Sequence, residues 1–177
     1  LNVQALDHIL FVLALVVVYE PKMIKQIIIL ITAFTVGHSL TLIISVLDLI
    51  TYDQKIIEFA IPLTIVLTAV NNIFNSGSIK KTNLNSNYSI ALFFGLIHGL
   101  GFANYLKALL FENNIIVELF SFNVGIEVAQ LIIVFVFLFA GAIGSKYLFK
   151  QREKWVLFVS SVIFGISLML TINAKFW

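Results

Sequence analysis

Apolar positions in this chain come in long runs, broken by short clusters of charge, amide and proline, with no sustained strand-like alternation. A helix needs about 20 mostly apolar residues, at 1.5 Å rise each, to cross a hydrocarbon layer about 30 Å thick. Between the charged punctuation the chain offers six such runs, at residues 3–19, 24–47, 56–74, 88–109, 119–143 and 155–172. The first is short and is expected to continue upstream of Leu1. A numbering that opens on Leu rather than Met leaves room for a missing initiator or a cleaved signal peptide. The breaks have a chemical basis. Glu20-Pro21-Lys22 reads as a turn, because proline disfavours helix in the residue before it. Residues 75–87, rich in Asn and Ser and carrying Lys80 and Lys81, read as a polar linker. Residues 146–154 are the most basic stretch.

Composition turns this pattern into an assignment of solvent. Of 177 residues, 60% are hydrophobic and 11% charged, with a mean hydropathy of +1.05; soluble domains carry about 25% charge. That excludes a soluble enzyme, a nucleic-acid module and a disordered tail. The expected fold is an all-α integral membrane protein: a single transmembrane domain over 1–177, a bundle of about six helices with the lipid bilayer as its partner. Homo-oligomerisation is left open. A net charge of +2 is too small to draw a polyanion, so no nucleic acid is expected. The absence of cysteine removes disulfides, thiolate metal sites and cysteine nucleophiles together. Lys22, Lys25, Lys80, Lys81, Lys146, Lys150, Arg152 and Lys154 fall in the loops after runs one, three and five. Lys55, Lys107 and Lys175 fall on the other side, so the positive-inside rule places both termini outside.

Within that topology the polar residues inside the runs are few. An ionisable residue in a span costs about 2.5–3.5 kcal/mol on insertion scales, which makes each a functional candidate. Asp7 and His8 lie near the outer end of the first run, His38 past the middle of the second, and His98 at the middle of the fourth. Asn123, Glu127 and Gln130, spaced i, i+4, i+7 on one helix face, lie in the outer half of the fifth. All three histidines, with Asp7 and Glu127, therefore fall at mid-membrane or above. Imidazole nitrogen and carboxylate oxygen without sulfur suit a divalent transition metal ion such as Ni, Zn or Co. The candidate ligands are Asp7, His8, His38, His98 and Glu127, with Asn123, Gln130, Ser39, Thr35 and Glu58 as supporting or pathway residues. The plainer alternatives are a hydrogen bond to a neighbouring helix for each histidine, and an interfacial cap for Glu58. Gly95, Gly99 and Gly101 around His98 are expected to admit a neighbouring backbone. Tyr19, Tyr52, Trp155 and Trp177 are expected to form an aromatic belt, and the phenylalanines to pack or face lipid.

Four blocks then become recognisable: Asp7-His8 within residues 6–15, Gly37-His38-Ser39 within 32–42, His98-Gly99 within 94–103, and Asn123, Glu127 and Gln130 within 122–130. Their order and content resemble the HupE/UreJ family. The resemblance implies a six-helix protein of the inner (cytoplasmic) membrane, often made with a cleaved signal. Such proteins are associated with hydrogenase or urease maturation and regarded as nickel, sometimes cobalt, permeases. It also implies that Asp7, His8, His38, His98 and Glu127 handle the metal. Two departures point to a second branch of the family. Leu1 stands where one branch has a His six residues before the Asp of Asp-His, and Phe102-Ala103-Asn104 stands where that branch carries a Glu. Three functions are compatible. A secondary permease would receive the ion at Asp7 and His8 and release it past Thr64, Thr68, Asn71 and Asn72, a thin polar path. An intramembrane metal-dependent hydrolase would use the same residues with Glu127 or Asp7 as general base and would need no such path. A proton or metal sensor would need no flux.

Overall fold

The computed structural model describes residues 3–76, 84–109 and 115–174. Lys80, Lys81, Lys175 and Trp177, and the departure at Leu1, lie outside the described residues. The described chain is helical without strands: α1 (Val3–Val16), α2 (Ile24–Val46), α3 (Gln54–Asn75), α4 (Leu84–Leu109), α5 (Ile115–Ile143) and α6 (Arg152–Asn173). Helices α2 to α6 contain the five segments long and apolar enough to cross a membrane. The 14 described residues of α1 reach about 21 Å at 1.5 Å each, less than a full crossing.

Local chemistry sets the helix ends. Pro21 opens a short 3₁₀ turn, Pro21–Met23, where a missing N–H costs nothing. Asp48, at φ 55°, follows α2 in the left-handed conformation that commonly ends a helix. Asp53 caps α3 by accepting from the Lys55 N–H at 2.9 Å. The basic stretch 146–154 is less of a loop than its charge suggests. A π-helical turn, Gly144–Leu148, prolongs α5, and α6 begins at Arg152. Tyr147 and Leu148 are exposed, and a backbone meeting lipid must stay hydrogen-bonded.

The tightest packing joins α2 to α4. A β-carbon on Gly37 would fall 2.2 Å from Leu92 O, one on Gly95 2.2 Å from Phe34 O, and one on Gly99 2.2 Å from His38 O. The two backbones therefore touch where side chains are missing, the usual device for close approach in lipid. Thr41 Oγ1 adds a 2.7 Å hydrogen bond across the seam to Leu96 O. Gly95 and Gly99 serve the expected packing role. Gly101 instead faces Ile61 of α3, and Gly37 is a contributor the sequence reading did not single out.

At the end where α1 stops, Arg152 donates to Val17 O and Tyr19 O, placing a cation against orphan carbonyls at a helix C-terminus. Tyr19 is turned inward, 1% exposed, and accepts from Asn87 Nδ2 at 2.9 Å. Tyr52 also turns in, donating to Leu100 O at 2.9 Å. Both tyrosines lie at helix ends, and each phenol is held by a hydrogen bond to α4.

The seam makes a graded prediction. Gly95→Ala and Gly99→Ala, which force a methyl into backbone, should each cost about 1–3 kcal/mol of unfolding free energy in detergent. Gly125→Ala and Gly165→Ala, with nothing within 4 Å, should be neutral or stabilising by up to about 1 kcal/mol. Equal losses at all four positions would contradict the seam.

Candidate metal centre

The α2–α4 seam carries a histidine beside a glycine on each side, His38 next to Gly37 and His98 next to Gly99. Helix α1 brings His8 to both. The His8 ring centre lies 5.2 Å from that of His38 and 5.2 Å from that of His98, each pair edge-to-face at 80°. His38 and His98 are 0% exposed and His8 is half-buried. His98 Nδ1 lies 2.9 Å from Phe94 O, which fixes the proton on Nδ1 and leaves the Nε2 lone pair free. His98 Nε2 and both nitrogens of His38 have no hydrogen-bond partner among the described residues. Asp7, 8% exposed, has an Oδ1 in the same condition. Buried polar atoms are paired in the great majority of cases, so this concentration needs a reason.

Phenylalanines enclose the imidazoles. Phe11, Phe34 and Phe94 each sit one turn from a histidine of their own helix, toward the end where α1 stops and α2 and α4 begin. The Phe11 ring lies 4.7 Å from His98, 5.0 Å from Phe34 and 5.7 Å from Phe94. Phe34 lies 5.3 Å from His98 and 6.1 Å from His38. On the opposite side Phe102 lies 5.8 Å from His8 and 6.3 Å from His38, and stacks on Phe122 at 5.3 Å. Beyond the first layer the polar groups of α3 are already engaged. The Thr64 and Thr68 hydroxyls donate to Ile61 O and Thr64 O, and Asn72 Nδ2 to Ala14 O at 2.7 Å.

Most of the remaining candidates make hydrogen bonds of their own. Glu127 Oε1 accepts from Thr32 at 2.7 Å, and Gln130 Oε1 meets Thr35 Oγ1 at 3.2 Å, so both residues pin α5 to α2. Thr35 also bonds back to Ile31 O. Asn123 donates to Leu119 O of its own helix. Ser39 is half-buried beside His38. Glu58 is exposed in the first turns of α3 and accepts from Gln54 at 3.3 Å. Among the described residues, no three His, Asp or Glu side chains stand set to hold one metal ion. His8 meets each of the two seam imidazoles edge to face.

A family profile described as HupE / UreJ protein matches residues 2–175. The chain belongs to the HupE/UreJ family. No curated protein and no solved structure matches it. In this HupE/UreJ protein, three of the four recognisable blocks supply the clustered histidines, and the fourth supplies the polar groups that bind α5 to α2.

The sequence reading treated the phenylalanines as bulk. A finer signal was present: Phe11 at +3 from His8, and Phe34 and Phe94 at −4 from His38 and His98. Helix residues three or four apart share a face, so each Phe lies on the histidine side of its helix, where Phe34 meets His38 and Phe11 meets His98. Thr41 and Thr32 were missed because a threonine in a span usually bonds its own helix. The orphan nitrogens carry a stability prediction. His38→Leu, which removes two unpaired polar atoms at similar volume, should leave the unfolding temperature in chelator unchanged or raise it. A loss above about 2 kcal/mol would make His38 a structural hydrogen bonder instead.

Proposed function

We propose that this HupE/UreJ protein takes a divalent transition metal ion as substrate at His8, His38 and His98 and passes it across the cytoplasmic membrane as a secondary permease. Nickel and cobalt are the ions the family suggests, and zinc also suits the donors. The observation that carries the reading is the meeting of three imidazoles from three helices, two of them fully buried with nitrogens lacking partners. Nitrogens about 2.0–2.1 Å from a tetrahedral ion put imidazole ring centres roughly 5 Å apart, close to the 5.2 Å that separates His8 from each of the other two rings. Binding requires the rings to turn toward a common point, since no three such side chains are set to hold an ion among the described residues as they stand. Glu127, held by Thr32, joins the path at the α2–α5 interface.

On this reading the phenylalanine layers on both sides close the site, and passage requires Phe11 and Phe34 to swing aside. Both termini outside and the basic loops in the cytoplasm let the membrane potential draw the cation inward, at about 2.3 kcal/mol per charge per 100 mV. One observation favours a second reading, a metal-dependent hydrolase. The hydroxyls and amides beneath the first phenylalanine layer are spent on carbonyls, and a resident catalytic metal needs no exit.

Equilibrium dialysis of the purified chain against Ni²⁺, Co²⁺ and Zn²⁺, with uptake into proteoliposomes, tests the proposal. His8→Ala and His98→Ala should each weaken binding at least about tenfold, or 1.4 kcal/mol, and abolish uptake. Metal that survives chelation with no flux would move the assignment to the hydrolase. No binding at all would sink both.

A further inference from the structure

A cavity of about 250 Å³ lies between α1, α4 and α5, beside the histidine cluster. His8 and Val12 of α1 form one wall, with Phe102 of α4 at its edge. Phe122, Ile126, Ala129 and Ile133 of α5, spaced i, i+4, i+7, i+11, line the other on one continuous helix face. The volume equals roughly eight waters at about 30 Å³ each. Its walls offer water almost nothing to bond: the polar groups on them are His8 and Gln130. Ala129 and Ile9 are exposed, so the cavity borders the face that a membrane-spanning bundle presents to lipid. The medium that reaches it is hydrocarbon.

We infer that the cavity seats one acyl chain of a membrane phospholipid, laid along α5 and ending against the imidazole cluster. Shape and placement both fit. From Phe122 to Ile133 the lined face runs about 16 Å along the helix axis, long and narrow as an extended chain is. It starts about 10 Å from the first residue of α5, Ile115, and runs toward the helix middle. That is the path of a tail whose headgroup rests at the membrane surface on that side. The ester groups stay at the surface, and only methylene groups reach His8. Phenylalanines cover the imidazoles above and below, and the acyl chain would cover them from the side, excluding water from all three directions. The inference rests on the membrane-spanning fold and not on metal binding.

The test reconstitutes the full chain in phosphatidylcholine vesicles containing a phosphatidylcholine with a diazirine midway along one acyl tail. Illumination and mass spectrometry then locate the adducts. They should concentrate on Val12, Ile126 and Ile133. Ala129→Trp, which fills the cavity from its lipid-facing side, should cut those adducts about tenfold. Val124→Trp, on the opposite face of α5, should leave them unchanged. Ile126→Phe, a milder filling, should shift them the same way as Ala129→Trp. Circular dichroism and metal dialysis on the same variants separate loss of the lipid site from misfolding and from loss of metal. Adducts spread evenly over all lipid-facing helices, or unmoved by Ala129→Trp and Ile126→Phe, would overturn the inference.

Discussion

Three carbonyl oxygens stand where three β-carbons would be. Gly37, Gly95 and Gly99 each leave a space that the backbone of the opposite helix enters, and no other residue tolerates an oxygen 2.2 Å from its Cβ position. In lipid this contact has no hydrophobic driving force behind it, because acyl chains are as apolar as leucine; what remains is van der Waals contact and the Thr41 bond across the seam. The rest of the site follows from that approach. Because the two backbones touch, His38 and His98 are carried into the interior on neighbouring turns, and α1 lays His8 between them.

The interior built this way divides its polar groups into two kinds. Toward the end where α1 stops, nearly every hydroxyl and amide is committed: Thr64, Thr68 and Asn72 to carbonyls, Asn87 to Tyr19, Arg152 to the end of α1. Around the histidines more is left over: nitrogens of His38 and His98 and an oxygen of Asp7, with Asn123 Oδ1 and Gln130 Nε2 on α5, against Arg152 Nε and Ser160 Oγ elsewhere. Burying an amide or hydroxyl without a partner costs a few kcal/mol, and the site keeps several such atoms at once. Phenylalanines on either side deny these atoms water. Unpaired imidazole nitrogens enclosed by phenylalanine are the feature on which the proposed metal reading rests.

Much of this was legible in residue order. Run length gave the helices to within a few residues, because in lipid the apolar run and the span are the same object. The depth of His8, His38 and His98 also followed from counting along the runs, since rise per residue is fixed. Which helices meet was harder to read, and Glu127 shows why. Its depth matched the histidines, yet depth says nothing of azimuth, and the structure turns it to Thr32. The partners of Tyr19 and Tyr52 were unreadable for a related reason, because composition marks a tyrosine at a span end and only the fold brings Asn87 and Leu100 O to the phenols. The phenylalanine layers were implicit in spacings of three and four, but without the α2–α4 contact nothing joined them into a layer.

On the proposed reading, the imidazoles gathered by glycine packing bind one metal ion. X-ray absorption at the nickel edge of the loaded protein tests it most directly. Nitrogen donors near 2.0–2.1 Å, with the outer-shell scattering of two or three imidazole rings that is reduced in His38→Leu, are expected. A first shell of oxygen alone, with no imidazole signature, would contradict it.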